Sequence, residues 1–133
     1  ASVYDNYYGT PKEYVFRHLD QGRDVILEID IQGALQVKRN FPEGVFIFIM
    51  PPSMKELKRR IVSRGTETPE AIMKRFKSAY DEINYIDQYN YVVINDTVKN
   101  AAKNIQAIVI AEKSRVDRNE HLYKEIQGGC FDD

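Results

Sequence analysis

The sequence is short of cysteine, of net charge and of long apolar runs, and each shortage removes a class of protein. One cysteine, Cys130, stands among 133 residues, so an internal disulfide framework is excluded and secretion gains no support. The two histidines, His18 and His121, sit among charged residues without metal-ligand spacing, the pattern of surface histidines. Nineteen Lys/Arg against 20 Asp/Glu leave a formal net charge of -1. No global field therefore gathers nucleic acid or an anionic membrane, and any anion site must be built locally. No apolar run is long enough to span a bilayer, and the first residues are not a signal peptide. A reducing cytoplasm is the expected compartment. Internal repeats, low-complexity stretches and domain-separating linkers are also missing. What remains, 43% hydrophobic and 29% charged, is ordinary for one globular domain. The opening Ala1-Ser2-Val3-Tyr4 has no initiator methionine and reads as an extended apolar segment already under way, which leads us to expect a fragment.

Strand-like and helix-like segments alternate along the chain. Asn6 to Pro11 is a turn-rich aromatic stretch, followed by a short helix over Lys12 to Asp20 that Gly22 stops. Val25 to Asp30 is an apolar run ending in acid, the pattern of a buried parallel strand, and a helix follows from about Gln32 to Arg39. Val45 to Ile49 is a second buried strand, closed by Pro51-Pro52. Ser53 caps a basic helix to about Ser63, and Gly65 ends it. Thr68 caps a longer helix, with Pro69 at its first position, reaching about Asp87. Tyr91 to Ile94 is a third strand, and a last helix starts near Thr97 or Val98, carrying Ala101, Ala102, Ile105, Ile108 and Val109 at helical spacing. Beyond Lys113 the pattern becomes charged, and Gly128-Gly129 should fray. This order predicts an α/β fold with a parallel sheet, whose ligands gather at the carboxyl ends of the strands.

Polar residues stand at those ends. Glu28 and Asp30 share one face of their strand, where two carboxylates can hold magnesium directly or through water, accept hydrogen bonds from a base, or simply be solvated. In the helix from Ser53, Met54, Leu57 and Ile61 form the core-facing stripe. At ~100° per residue, Arg60 and Arg64 fall within roughly 60° of Leu57, while Lys55 and Arg59 point to solvent. In the next helix Ile72, Phe76, Ala79, Ile83 and Ile86 are the stripe and Arg75 lies on its edge. The three arginines read either as snorkelling surface side chains or as a guanidinium clamp. Planar, always-charged forks suit phosphate oxygens and the charge that spreads during phosphoryl transfer. Tyr8 and Thr10, beside a tight turn, offer hydroxyl donors to a phosphate, whereas Tyr7 reads as a packing residue. Asn95, at a strand end, serves equally to read an adenine edge or to cap the last helix.

These strings stand together in a known order. Asn6-Tyr7-Tyr8-Gly9-Thr10, Glu28-Ile29-Asp30-Ile31-Gln32-Gly33, Pro51-Pro52-Ser53, Arg60 through Glu67, Lys74-Arg75 and Val93-Ile94-Asn95-Asp96 resemble guanylate kinase, bacterial members most closely, through about Lys113. The resemblance implies the parallel-sheet P-loop nucleoside monophosphate kinase fold with a helical lid. On that basis residues 1–20 are the remnant of the GMP-binding region, 21–55 core, 56–85 lid, and 86–133 core and C-terminal helix. It implies ATP and GMP as substrates, with Mg2+ accompanying ATP, and excludes nucleic acid and membranes as partners. Tyr8 and Thr10 match positions that hold the GMP phosphate. Asp30 matches an acid on the GMP side that contacts guanine, and Glu28, also counted with the GMP site, one that faces the metal and reacting phosphates, through water if at all. Arg60, Arg64 and Arg75 match arginines that engage ATP and the transferring phosphate, Arg64 and Arg75 being the foremost catalytic candidates. Asn95 and Asp96 match the adenine-binding strand end.

One departure matters. The family begins with a strand and a G-x-x-x-x-G-K-[ST] loop that cradles ATP phosphates, and no such string exists here. The arginines and the glutamate that grip GMP are also missing. Losing one preorganised donor costs ~10²–10³ in rate, so the 133-residue chain is expected to be inactive alone. Without the first strand it should expose an edge and apolar faces that favour self-association. Two other readings keep the fold without catalysis: a guanylate-kinase-like phosphopeptide-binding module, against which the three arginines argue, and an inactive structural fragment.

Overall fold

The computed structural model describes residues 2–3, 6–7, 12–65 and 68–129. A short antiparallel pair opens it, β1 (Ser2–Val3) and β2 (Asn6–Tyr7), with Ser2 opposite Tyr7 and Val3 opposite Asn6. Helix α1 (Lys12–Asp20) then ends as expected. Gly22 adopts φ 77°, and the Arg23 N–H returns to the His18 carbonyl at 3.0 Å. Such a left-handed closure suits glycine because it carries no Cβ.

The segment Val25 to Asp30 corrects an expectation. It forms no strand. Apolar alternation specifies which side chains face inward, but a strand exists only when a neighbour takes its backbone hydrogen bonds, and among the described residues none does. The alternation survives on one side only: Val25 and Leu27 are half-buried while Ile26 is 81% exposed. Helix α2 (Ile31–Asn40) follows at once, N-capped by Asp30, whose Oδ1 accepts from the Gly33 N–H at 3.0 Å. A Cβ at Gly33 would lie 3.2 Å from that oxygen and 3.4 Å from the Ile29 Cβ. A side chain there would crowd this cap by a few tenths of an ångström.

The central sheet is a two-stranded parallel ladder of β3 (Ile47–Met50) and β4 (Tyr91–Ile94), running in register from Ile47 opposite Tyr91 to Met50 opposite Ile94. Parallel strands require a crossover, and here it consists of α3 (Met54–Ser63), α4 (Pro69–Glu82) and a 3-10 turn over Ile83–Gln88. Helices α3 and α4 pack together, joined through Gly65 at φ 69°. Helix α5 (Val98–Lys113) packs against β4, and α6 (Glu120–Gln127) follows a short 3-10 turn. The charged pattern beyond Lys113 had pointed to no such helix. It shows two apolar side chains four apart, Leu122 and Ile126, that stay 61% and 68% exposed.

The core is small: Ala34, Phe46, Phe48, Val93 and Ala101 are its buried apolar residues among those described. Phe48 meets the Tyr89 ring edge-on at 5.1 Å, an arrangement the aromatic quadrupoles favour. Partners across the ladder are unequally covered. Phe48 is 7% exposed beside Val92 at 50%, and Val93 is 2% exposed beside Ile49 at 46%. Each face of the sheet is therefore packed over one strand and open over the other.

Candidate functional site

The carboxyl end of the ladder is where the chain concentrates polar groups. Strand β3 runs into Pro51-Pro52-Ser53 and α3; strand β4 runs into Asn95-Asp96-Thr97 and α5. Because the strands are parallel, both helices begin at the same end, and their first-turn N–H groups point toward it. Ser53 Oγ accepts from the Glu56 N–H at 3.0 Å and Thr97 Oγ1 from the Asn100 N–H at 3.1 Å. The ladder reaches this end intact, since the Asn95 N–H donates to the Met50 carbonyl at 2.7 Å.

Arg60 joins the two helix starts. Its Nη1 donates to the Asn95 carbonyl at 2.7 Å, its Nη2 to the Asp96 carbonyl at 3.1 Å, and its Nε to Glu56 Oε1 at 3.1 Å. Arg59 holds the same carboxylate through both oxygens, at 2.6 and 2.9 Å. These contacts, with Arg59 the larger influence and Arg60 next among the cations, draw the Glu56 carboxyl down to about 2. Asp96 is likewise held below the ordinary carboxylate range, first by the Thr97 backbone N–H (2.7 Å) and then by the Asn100 side chain (3.2 Å). Thr97, not Asn95, supplies the N-cap of α5, with Asp96 bracing it.

The other expected residues are distributed as follows. Arg64 is the exposed C-cap residue of α3, and Arg75 is half-buried within α4. Glu28 is exposed on the unpaired segment, and Asp30 is half-buried with one oxygen committed to Gly33. Tyr8 and Thr10 lie outside the described residues, as do Thr66, Glu67 and Cys130. Thus Arg60, Asn95 and Asp96 are brought together by direct hydrogen bonds. Among the described residues no group of three or more His, Cys, Asp or Glu is arranged to hold a metal ion.

One acid escaped the sequence reading. Glu82, the last residue of α4, has its carboxyl pushed up, first by burial and then by the neighbouring Asp30. The Tyr89 phenol is raised by burial and then by Glu82 and Asp30. Glu82 stands seven residues after Arg75, on the same helical face, and that spacing was the available signal. The end of α4 thus lies close enough to the acid that starts α2 for the two carboxyls to repel.

Comparison with known proteins places this arrangement. The guanylate kinase family profile matches residues 1–112. The guanylate kinase of Caldanaerobacter subterraneus subsp. tengcongensis is 67% identical over 127 residues, covering 96% of this chain and 62% of that protein. The guanylate kinase of Clostridium tetani is 68% identical over 118 residues, 89% of this chain and 57% of that protein. The crystal structure of guanylate kinase from Anaplasma phagocytophilum superposes with a TM-score of 0.80 at 35% identity, over 98% of this chain and 62% of that one. The chain thus spans about three fifths of the length of these relatives. Its small parallel sheet with helices on it is the corresponding part of their α/β nucleotide-kinase fold. On the profile match and the identities together, the chain belongs to the guanylate kinase family.

Proposed function

We propose that the protein carrying this chain transfers the γ-phosphoryl group of ATP to GMP, giving ADP and GDP. The observation that carries the reading is the convergence of the α3 and α5 starts, with Arg60 bound to Asn95 and Asp96, at the carboxyl end of a parallel ladder. Such ends are where open α/β sheets take nucleotides. The relatives named guanylate kinase support the same chemistry.

In this reading ATP lies with its adenine against Asn95 and Asp96. Arg64 and Arg75, carried on the α3–α4 lid, neutralise charge that develops on the transferring phosphoryl group. Tyr8 and Thr10 hold the GMP phosphate and Asp30 the guanine. MgATP enters as substrate, with the phosphates and waters supplying most of the ion's ligands, the usual habit of magnesium in phosphoryl transfer. Glu28, exposed, acts on it through water. The 133 residues contain no G-x-x-x-x-G-K-[ST] string, so catalysis requires a chain of the relatives' full length.

The test is a coupled ADP-release assay on the family-length protein with ATP, magnesium and GMP. GMP-dependent turnover is the expected result, and turnover indifferent to GMP overturns the proposal. Robust turnover by the 133-residue chain alone would overturn the requirement for the remaining length. Titration with a phosphoserine peptide against GMP separates the kinase from a phosphopeptide-binding module.

A further inference from the structure

Arg60 is engaged by groups of its own chain. Of the five N–H donors of a guanidinium, three are committed, one to Glu56 and one each to the carbonyls of Asn95 and Asp96. Its side chain is 32% exposed and that of Glu56 28%, so the pair stands partly out of water, where charge-assisted hydrogen bonds gain strength. Around it the backbone is held from both sides. The Asn95 N–H is fixed by the Met50 carbonyl of β3, and its carbonyl by Arg60 from α3. The Asp96 carboxylate is turned toward Thr97 and Asn100, leaving its carbonyl to Arg60. Glu56 does not reach back to its own helix cap, as an acid three residues after Ser53 commonly does. It is drawn outward by Arg59 and aims Arg60 instead.

We infer that Arg60 is a positioning residue, a latch between the root of the α3–α4 crossover and the Asn95–Asp96 strand end, and not one of the phosphate-binding arginines. By holding the two peptide carbonyls in place it preforms the surface against which adenine rests, and it couples the seat of α3 to that surface. The kinetic part of this inference rests on the nucleotide assignment made above. The structural part does not.

The experiment uses the family-length protein with Arg60→Ala, Arg60→Lys and Glu56→Gln. In nucleotide-free protein, amide hydrogen exchange over residues 95–100 should quicken about tenfold in Arg60→Ala, the scale of one charge-assisted hydrogen bond. Lysine retains the charge but lacks the planar fork that spans two carbonyls and a carboxylate, so Arg60→Lys should exchange nearly as fast. Glu56→Gln, which keeps both carbonyl bonds, should give a smaller change in the same direction. In turnover, Arg60→Ala should raise KM for ATP about tenfold, a larger change than in KM for GMP or in kcat. The latch is overturned if exchange at 95–100 is unaffected, or if kcat collapses at constant KM for ATP and Arg60→Lys restores it. Should the unsubstituted protein fail to phosphorylate GMP, the kinase assignment falls, and the exchange comparison still decides the latch.

Discussion

Asn90 offers the sharpest test of how the site is aligned. Its side-chain Oδ1 accepts from the Phe46 N–H at 2.8 Å, and its own N–H donates to the Phe46 carbonyl at 2.8 Å. This reciprocal pair closes the entry end of the β3–β4 ladder, one residue before the register begins at Ile47 and Tyr91. Phe46 is only 8% exposed, so water cannot readily replace the lost acceptor. Asn90→Ala leaves a buried N–H unsatisfied and should cost about 1–3 kcal/mol. Asn90→Asp retains the acceptor and should cost less than about 1 kcal/mol. At an m-value of about 1–3 kcal/mol per molar urea, the alanine variant should unfold about 1 M earlier. Urea titration followed by circular dichroism measures the midpoint, and amide exchange at Phe46 localises the loss. Equal midpoints for the alanine variant and the parent, or an aspartate variant no better than alanine, would refute the reasoning. Since the same ladder sets Met50 beside Ile94 and Asn95, an Asn90 effect confined to stability would also show that register survives without this bond.

Other consequences follow from the same contacts. Ser53→Ala and Thr97→Ala each remove an N-cap acceptor and should each lower stability by about 1 kcal/mol, read as a shift of the urea midpoint. Glu56, held down to about 2, contributes stability that is present above its unfolded value of 4.5 and is lost as pH falls toward 2. Glu56→Gln should therefore flatten the acid limb of a stability–pH curve. Glu82 has the opposite sign: its raised carboxyl favours the fold while protonated, and that advantage fades as pH rises through the folded value. Glu82→Gln should accordingly stabilise the protein at neutral pH and make no difference in acid, as thermal melts across pH will show. The 133-residue chain on its own, with Ile26, Ile49, Val92 and Ile94 exposed, should self-associate. A monomer of 15.5 kDa in multi-angle light scattering at micromolar concentration would contradict this.

Local chemistry was sufficient for most elements and for the family. The caps Ser53 and Thr68, the stops at Gly22 and Gly65, and the apolar cadence of α3 and α4 all act within a turn or two of themselves. Their signal is therefore carried in consecutive residues, and so are the short strings that mark a guanylate kinase. What sequence could not decide was anything requiring a partner far along the chain. Val25 to Asp30 has strand composition, yet a strand is a relation between two backbones, and the described residues provide no second one. Whether Asn95 capped α5 depended on where Thr97 and Asp96 turned. That Glu82 comes near Asp30, 52 positions earlier in the chain (82 − 30), is set by the crossover's packing. Arg60 is the plainest case. Helical spacing placed it at the edge of a core stripe, but only the folded chain brings Asn95 and Asp96, 35 and 36 residues away, under its guanidinium. Periodicity reports the face a side chain occupies, while its partner is chosen by the tertiary path.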